Sequence, residues 1–284
     1  QEYYQQLPVD GLWMKRVPDE LPVNIEQYGI KKLKGPDDAN TYQDYNLLTY
    51  RYTNPAARHL KNLSDPVSNS TEAMNSFLQA CSECAGDCEV NFNWGPFYGI
   101  PANFNTYCQT VNNSVCIGPD GVYSSWVRDS HVDVTFKVNP SPSLSAEPSV
   151  GQDMIDYFAS EFAEYPQLDA AYFDSLGPRW PAVLDYSREH FKDARYPLTC
   201  DPDGRVALHN KLSIYDLVRT VRETFRPAGK FVFANGIDAY FSNRNVARPF
   251  AEHYRGETQL GRFFIASQLY FGAKEKCIYA TVED

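Results

Sequence analysis

Short apolar runs that end in a polar or acidic residue recur along the C-terminal half of the chain. The clearest lies in residues 168–177, where the run leads directly into Asp174 and a Gly-Pro turn. Residues 229–236 and 249–257 repeat the pattern and end in an Asn-Gly pair and in acidic residues. A strand of a βα unit presents a polar side chain at its C-terminal end in this way, where α/β barrels build their active sites.

Helical spacing separates these strands. Apolar residues recur at helical intervals over 151–164, 209–226 and 258–271, and further strand-like segments are found at 46–52, 131–138 and 277–281. The order of strand, helix and strand from residue 132 to 281 predicts a parallel α/β architecture. An open doubly wound sheet is the competitor, but the chain has no glycine-rich motif for a dinucleotide or a nucleotide phosphate. We therefore expect a (β/α)8 TIM-barrel-like fold.

The pattern divides the chain unevenly. Residues 1–45 have weak periodicity and are predicted to form an irregular lead-in, whereas 46–284 form the barrel domain with a long insertion at 53–130. The six strand-like segments are two fewer than a closed barrel has. We therefore expect either that the native polypeptide extends past Asp284 or that another chain covers an open barrel edge.

Charge and hydropathy exclude two classes of partner. The 284 residues include 26 Lys and Arg against 36 Asp and Glu, which gives a net charge of −10. This charge opposes attraction to nucleic-acid backbones and anionic membranes. No apolar run approaches the length of about 18 residues that a membrane span requires. The sequence predicts neither a nucleic-acid-binding protein nor a membrane-spanning one.

Five of the seven cysteines cluster in the insertion, which points to an extracellular protein. A zinc site is the alternative to a disulfide-stapled loop, but no second CxxC pair follows the first. Three glycosylation sequons accompany the cysteines. We expect mostly local disulfides among the five cysteines, which are Cys81, Cys84, Cys88, Cys108 and Cys116. We also expect a glycan on at least one of the sequon asparagines, which are Asn62, Asn69 and Asn112.

Paired carboxylates on one rim would suit cleavage of a glycosidic bond. Asp174 is the first candidate for a reacting group, and its alternative role is to cap the turn that follows its strand. Glu252 and Glu257 compete to be the proton donor, and either could instead pair with a neighbouring arginine. One carboxylate must be ionised and the other protonated near neutral pH, so their environments must separate their pKa values.

Several further side chains would suit contact with sugars. Asn235 and His253 could bind sugar hydroxyls, although an Asn-Gly turn and a core histidine are equally plausible interpretations. Trp94, Trp126 and Trp180 lie in loop-like segments, where an exposed ring could stack on a sugar or simply fill a small core. The charged residues of 184–191 are interpreted mainly as a solvated helix face. No metal site or cofactor is predicted.

A family resemblance adds to this interpretation. The segments Phe136 to Pro140, Tyr172 to Gly177, Tyr186 to Phe191, Tyr196 to Thr199 and Phe233 to Gly236 resemble TIM-barrel proteins of glycoside-hydrolase type. More distantly, they are similar to the retaining α-galactosidase/α-glucosidase superfamily. The resemblance covers roughly residues 130–281. It implies a nucleophilic Asp at one strand end and an acid/base carboxylate two strands later, which matches Asp174 and Glu257 or Glu252.

The sequence therefore predicts a secreted, glycosylated glycoside hydrolase-like protein whose partner is carbohydrate. The alternative is a non-catalytic extracellular structural or carbohydrate-binding glycoprotein that keeps a degenerate glycosidase barrel, because fold alone does not guarantee activity.

Overall fold

The computed structural model describes residues 11–14, 30–34, 48–60, 65–83, 104–127, 131–173, 184–235, 255–257 and 277–280. The described strands are β1 (Gly11–Met14), β2 (Ile30–Lys34), β3 (Leu48–Thr53), β4 (Ala57–Leu60), β5 (Ser125–Val127), β6 (Val134–Lys137), β7 (Ala170–Phe173), β8 (Leu184–Asp185), β9 (Thr199–Cys200), β10 (Val206–His209), β11 (Phe231–Asn235), β12 (Arg255–Glu257) and β13 (Cys277–Ala280). The described helices are α1 (Ser70–Glu83), α2 (Phe104–Ser114), α3 (Val150–Glu164), α4 (Arg188–Lys192) and α5 (Asn210–Phe225), followed by a 3₁₀ turn at Arg226–Ala228. None of these helices is long and apolar enough to cross a membrane.

Seven strands form one parallel sheet in the order β12-β11-β7-β3-β2-β1-β13. From β1 to β12 each strand of this sheet neighbours the strand that follows it in the chain, and the last strand, β13, pairs with the first. Strands of a barrel follow one another in this way, with the last beside the first. Among the described strands β12 and β13 are not paired, so the closed barrel stays a prediction.

The chain divides into two compact units. The first comprises Gln1–Thr53, Phe158–Arg179 and Val221–Asp284, and it contains the parallel sheet. Aromatic residues form much of its described core: Phe158 packs edge-to-face on Phe173 with ring centroids 5.6 Å apart, and Phe162 packs on Phe225 at 5.1 Å. Edge-to-face pairs of this kind are favoured by the charge distribution of the rings.

A lysine secures the turn between α3 and β7 in the same unit. The ammonium of Lys230 donates to the carbonyl oxygens of Pro166 at 2.6 Å and Leu168 at 2.5 Å, and it lies 5.3 Å from the centre of the Phe162 ring. Two carbonyl groups of this turn are therefore satisfied by the side chain of the residue that precedes the neighbouring strand, β11.

The second unit, Asn54–Tyr157 and Trp180–Thr220, contains two small antiparallel sheets, β4-β6-β5 and β8-β10-β9. The helices α1 and α2 cover an apolar cluster that includes Leu60, Phe77, Phe104 and Phe136, all of them buried. A disulfide between Cys81 and Cys108 joins the two helices, with 5.8 Å between the Cα atoms. Closing a loop of 27 residues reduces the entropy of the unfolded chain, which adds to the stability of this cluster.

The structure corrects three predictions. The lead-in, residues 1–45, is not wholly irregular, because it supplies β1 and β2 to the parallel sheet. The insertion, residues 53–130, contains two helices and two strands where a loop-like segment was predicted. The strand predicted at 131–138 belongs to an antiparallel sheet rather than to the parallel one. Its strict alternation of apolar and polar residues is typical of antiparallel strands, whereas strands of a parallel sheet are usually apolar on both faces.

Candidate functional site

The carboxyl ends of β7, β11 and β12 lie side by side in the first unit. In these neighbouring parallel strands Asn235 is in register with Glu257, and Ala234 is in register with both Gly256 and Phe173. Asp174 follows Phe173 in the sequence but lies outside the described residues. The strand that precedes Asp174 and the strand that ends in Glu257 are therefore separated by one strand, β11.

The two candidate proton donors, Glu257 and Glu252, differ in their position relative to β12. Glu257 is the last residue of β12, at its carboxyl end. Glu252 and His253 precede the first residue of that strand in the sequence and lie outside the described residues. Trp94 and Trp180 also lie outside them. Of the predicted site residues, the described backbone thus brings Asn235 and Glu257 together.

Trp126 belongs to the second unit. It is the middle residue of β5, opposite Thr135 of β6, and 52% of its surface is exposed. The hydroxyl of Thr135 is 2.9 Å from Nδ1 of the buried His59 on β4. Trp126 thus lies in a strand rather than in the loop-like segment that was predicted, and stacking of its ring on a sugar stays a prediction.

The cysteines follow the disulfide prediction in part. Cys81 and Cys108 form a disulfide, whereas Cys116 carries a free thiol and is fully buried. The Cys116 amide donates to the carbonyl oxygen of Lys137 on β6 at 2.8 Å. Burial raises the pKa of the Cys116 thiol well above its ordinary value, and the nearby charge of Asp185 raises it further. Cys116 is therefore a core residue rather than a member of the disulfide set. Cys84 and Cys88 lie outside the described residues.

Two of the three sequons are described, and both asparagines are exposed. Asn69 caps α1, because its Oδ1 accepts a hydrogen bond of 3.0 Å from the Glu72 amide. Asn112 accepts a hydrogen bond from the Tyr123 hydroxyl through Oδ1 at 2.8 Å. A glycan is attached through Nδ2, so the bond to Oδ1 of Asn112 is compatible with glycosylation. The Nδ2 of Asn69 donates to Oε1 of Glu72 at 2.7 Å, and a glycan on Asn69 would have to displace this bond. Asn62 lies outside the described residues, and the glycans stay a prediction.

A buried charged pair in the second unit was not predicted from the sequence. Nδ1 of His190 lies 2.6 Å from Oδ2 of Asp185, and its Nε2 lies 3.0 Å from the carbonyl oxygen of Asn113. The Oδ1 of Asp185 also accepts hydrogen bonds of 3.0 Å from the amides of Ile117 and Ser187. Both ring nitrogens face acceptors, so the doubly protonated imidazolium satisfies both contacts. This pair fixes the end of α2 and the start of α4.

Local sequence explains the position of His190. Ser187 caps the short helix α4 and accepts from the His190 amide, so that His190 faces inward while Arg188 and Glu189 are exposed. The pattern of a capping serine followed three residues later by histidine was the available signal. It was missed because the charged run as a whole is typical of a solvated helix face.

A second buried carboxylate lies in the same unit. Asp216 accepts hydrogen bonds from the hydroxyl groups of Ser141 and Ser143 at 2.9 and 3.0 Å, and it pairs with Arg195 at 3.0 Å and with Arg219 at 3.6 Å. Because these partners contact both of its oxygens, we interpret Asp216 as a residue that stabilises the loop after β6. No cluster of three His, Cys, Asp or Glu side chains in the described part of the chain could hold a metal ion.

The His190 pair predicts a pH dependence of stability. Burial is the largest single influence on the pKa of His190 and lowers it, but Asp185, the Asn113 carbonyl and the charge of Asp193 together raise that pKa above 6.5. A raised pKa stabilises the fold below about pH 6.5, and this contribution is lost as the pH rises through the folded-state pKa. In urea unfolding, the stability advantage of wild type over His190→Gln should shrink between pH 5 and pH 9. An advantage that stays constant over this range would contradict the imidazolium assignment.

Comparison with known proteins does not assign this chain to a family. No protein family model matches this chain, and no curated protein matches its sequence. The carboxyl edge of β7, β11 and β12 is thus defined by the chain's own sequence and backbone, and the resemblance to glycoside hydrolases stays a prediction.

Proposed function

We propose that this protein is a secreted glycoside hydrolase-like protein that acts on carbohydrate at the carboxyl edge of its parallel sheet. Asp174 is the nucleophile, Glu257 is the general acid/base, and Asn235 lies between them to bind a sugar hydroxyl. The observation that carries the proposal is the register of β11 with its two neighbours, which aligns Asn235 with Glu257 and Ala234 with Phe173.

Strand spacing supports this arrangement. Neighbouring strands lie about 4.8 Å apart, so backbone positions separated by one strand are about 10 Å apart. Aspartate and glutamate side chains that lean toward each other over this span would reach the separation of about 5 Å found in retaining enzymes. A smaller inclination gives the roughly 6.5–9.5 Å of inverting enzymes.

The strand order supports a barrel as the scaffold. Six strands of the parallel sheet follow one another in chain order and β13 lies beside β1, so that a barrel would close between β12 and β13. In such a barrel the active site lies at the carboxyl ends of the strands. Glu257 at the end of β12 fits this position better than Glu252, which precedes the strand.

The disulfide supports the proposed location. Disulfides persist in oxidising compartments and are rare in the cytosol. The Cys81–Cys108 bond joins two helices of the insertion unit and is consistent with secretion. The exposed sequon asparagines Asn69 and Asn112 are consistent with a glycosylated surface.

A non-catalytic carbohydrate-binding glycoprotein is the second candidate, and the exposed ring of Trp126 favours it. This ring offers a stacking surface in a unit that does not contain Asp174 or Glu257. A protein that used only this surface would bind sugars without cleaving them.

Hydrolysis of a panel of aryl glycosides by the whole chain tests the proposal. We expect release of the aryl group from at least one sugar, and a decrease of about 10²–10⁴-fold in Glu257→Gln, because a general acid contributes that much to the rate. Glu252→Gln is the matched control and should keep the wild-type rate. A folded protein that hydrolyses no member of the panel but loses sugar binding in Trp126→Ala would favour the second candidate. Equal losses in the two glutamate variants would contradict the assignment of Glu257.

A further inference from the structure

A buried arginine in the second unit has an open hydrogen-bonding edge. Arg58 lies on β4, where all four residues are buried, and only 2% of its surface is exposed. Its Nη1 donates to the carbonyl oxygens of Asn54 at 3.3 Å and Ala57 at 3.0 Å. These two contacts hold one side of the guanidinium against the backbone and fix the direction of the other side.

The opposite side is formed by Nε and Nη2, and neither atom has a hydrogen-bond partner among the described residues. These two nitrogens present parallel N–H groups, which is the geometry that binds a carboxylate or another anion through two bonds. Buried donors without a partner cost free energy, so such an edge in a folded protein indicates a bound water or ion.

Two ionisable groups of the described residues act on the charge of Arg58, and neither donates to or accepts from this edge. Tyr107 is neutral, because burial raises its pKa, and its hydroxyl donates to the carbonyl oxygen of His59 at 2.6 Å. Asp153 acts on the charge of Arg58 from a distance, but its Oδ2 accepts a hydrogen bond of 3.0 Å from the Thr110 hydroxyl. Burial lowers the pKa of Arg58, and these two neighbours only partly offset that effect.

We propose that the Nε/Nη2 edge of Arg58 is a buried anion site that takes one small monovalent anion, either a free halide or the carboxylate group of an acidic ligand. A water molecule could satisfy the two N–H groups, but only an anion would also neutralise a guanidinium removed from solvent. Both nitrogens are screened from bulk water, which favours a halide or a single carboxylate over a bulky phosphate ester. The site belongs to the second unit, and its test does not depend on hydrolytic activity.

Thermal unfolding of the whole chain tests the site. The protein is dialysed into HEPES–NaOH and then titrated with sodium chloride, sodium acetate or sodium galacturonate at constant sodium concentration. We expect a saturable rise in Tm of about 5 °C once the anion reaches about 100 times its Kd. Saturation by chloride alone identifies a halide, and saturation only by the two carboxylates identifies the acid group of a ligand.

Two variants locate the effect. Arg58→Met keeps the length of the side chain without its charge, and its Tm should not depend on the anion. Arg205→Met removes a half-exposed arginine that pairs with Asp201 and Asp203, and it should keep the wild-type response. The proposal is overturned if none of the three anions changes the Tm of wild type, or if Arg58→Met responds as wild type does.

A crystallographic readout keeps the test independent of how Arg58→Met folds. Bromide replaces chloride at halide sites and is located by its anomalous scattering. For a site that chloride saturates, wild-type crystals soaked in bromide should show a peak within about 3.5 Å of both Nε and Nη2 of Arg58. A water-like density without anomalous signal there would overturn the halide form.

Discussion

Asp174→Asn is expected to lower kcat/KM for a hydrolysed aryl glycoside by about 10⁴-fold or more. An amide cannot attack the anomeric carbon, so the variant loses the covalent step and keeps only the contribution of binding. Asp169→Asn is the matched control: Asp169 precedes the first residue of the same strand and should leave the rate unchanged. Both variants should keep the wild-type urea midpoint.

A chemical rescue separates a nucleophile from a structural aspartate. In Asp174→Ala, azide ion can attack the anomeric carbon directly while the aryloxide leaves, which forms a glycosyl azide and restores release of the aryl group. We expect this rescue in Asp174→Ala and not in Glu252→Ala. If Asp174→Asn retains the rate of Asp169→Asn, Asp174 caps a turn and is not the nucleophile.

Asp185→Asn should produce the largest loss of stability in the second unit, about 3–5 kcal/mol. The carboxylate is fully buried and accepts bonds from two backbone amides, from His190 and, at 3.4 Å, from Asn139. The NH₂ group of an asparagine would face N–H groups that now donate to the Asp185 carboxylate. The imidazolium of His190 would also lose its counter-ion. Urea unfolding followed by tryptophan fluorescence measures the effect.

The exposed Asp203 provides the control for this prediction. Its side chain is 75% exposed and pairs with Arg205, so Asp203→Asn should change the free energy of unfolding by less than about 0.5 kcal/mol. The double variant Asp185→Asn/His190→Gln should cost less than the sum of the two single variants, because the second change removes the uncompensated charge. Additive costs would show that the two side chains do not act as a pair.

Local pattern was sufficient for the strands and helices with the clearest apolar runs or helical spacing. The apolar runs at 168–174, 229–236 and 277–281 predict β7, β11 and β13, and the helical spacing predicts α3 and α5 to within a residue or two of their bounds. The strands are short apolar runs bounded by turn residues and the helices have strong helical periodicity, so their own residues predict the element type. The pair β1 and β2 was missed, because a strand such as β2, with the sequence IKKLK, has little apolar periodicity of its own.

Contacts between distant segments determined features that the local sequence pattern could not predict. The alternation in β6 is typical of an antiparallel strand, but its pairing with β4 and β5 and the burial of all four of its residues depend on other segments of the chain. Cys116 and His190 resemble a disulfide cysteine and a surface histidine in sequence, yet both are buried against residues far away in the chain. Burial and partner choice are properties of the packed chain, so a local window does not contain them.

For the carboxyl edge, the sequence by itself predicted that Asp174, Asn235 and Glu257 each follow or end a strand. It could not determine which strands are neighbours, because strand pairing depends on contacts between segments as distant as 170–173, 231–235 and 255–257. The tertiary structure decided that these three strands are adjacent and in register. It also showed that Nε and Nη2 of Arg58 have no hydrogen-bond partner among the described residues, which the packing of those residues decides and a local sequence window does not contain.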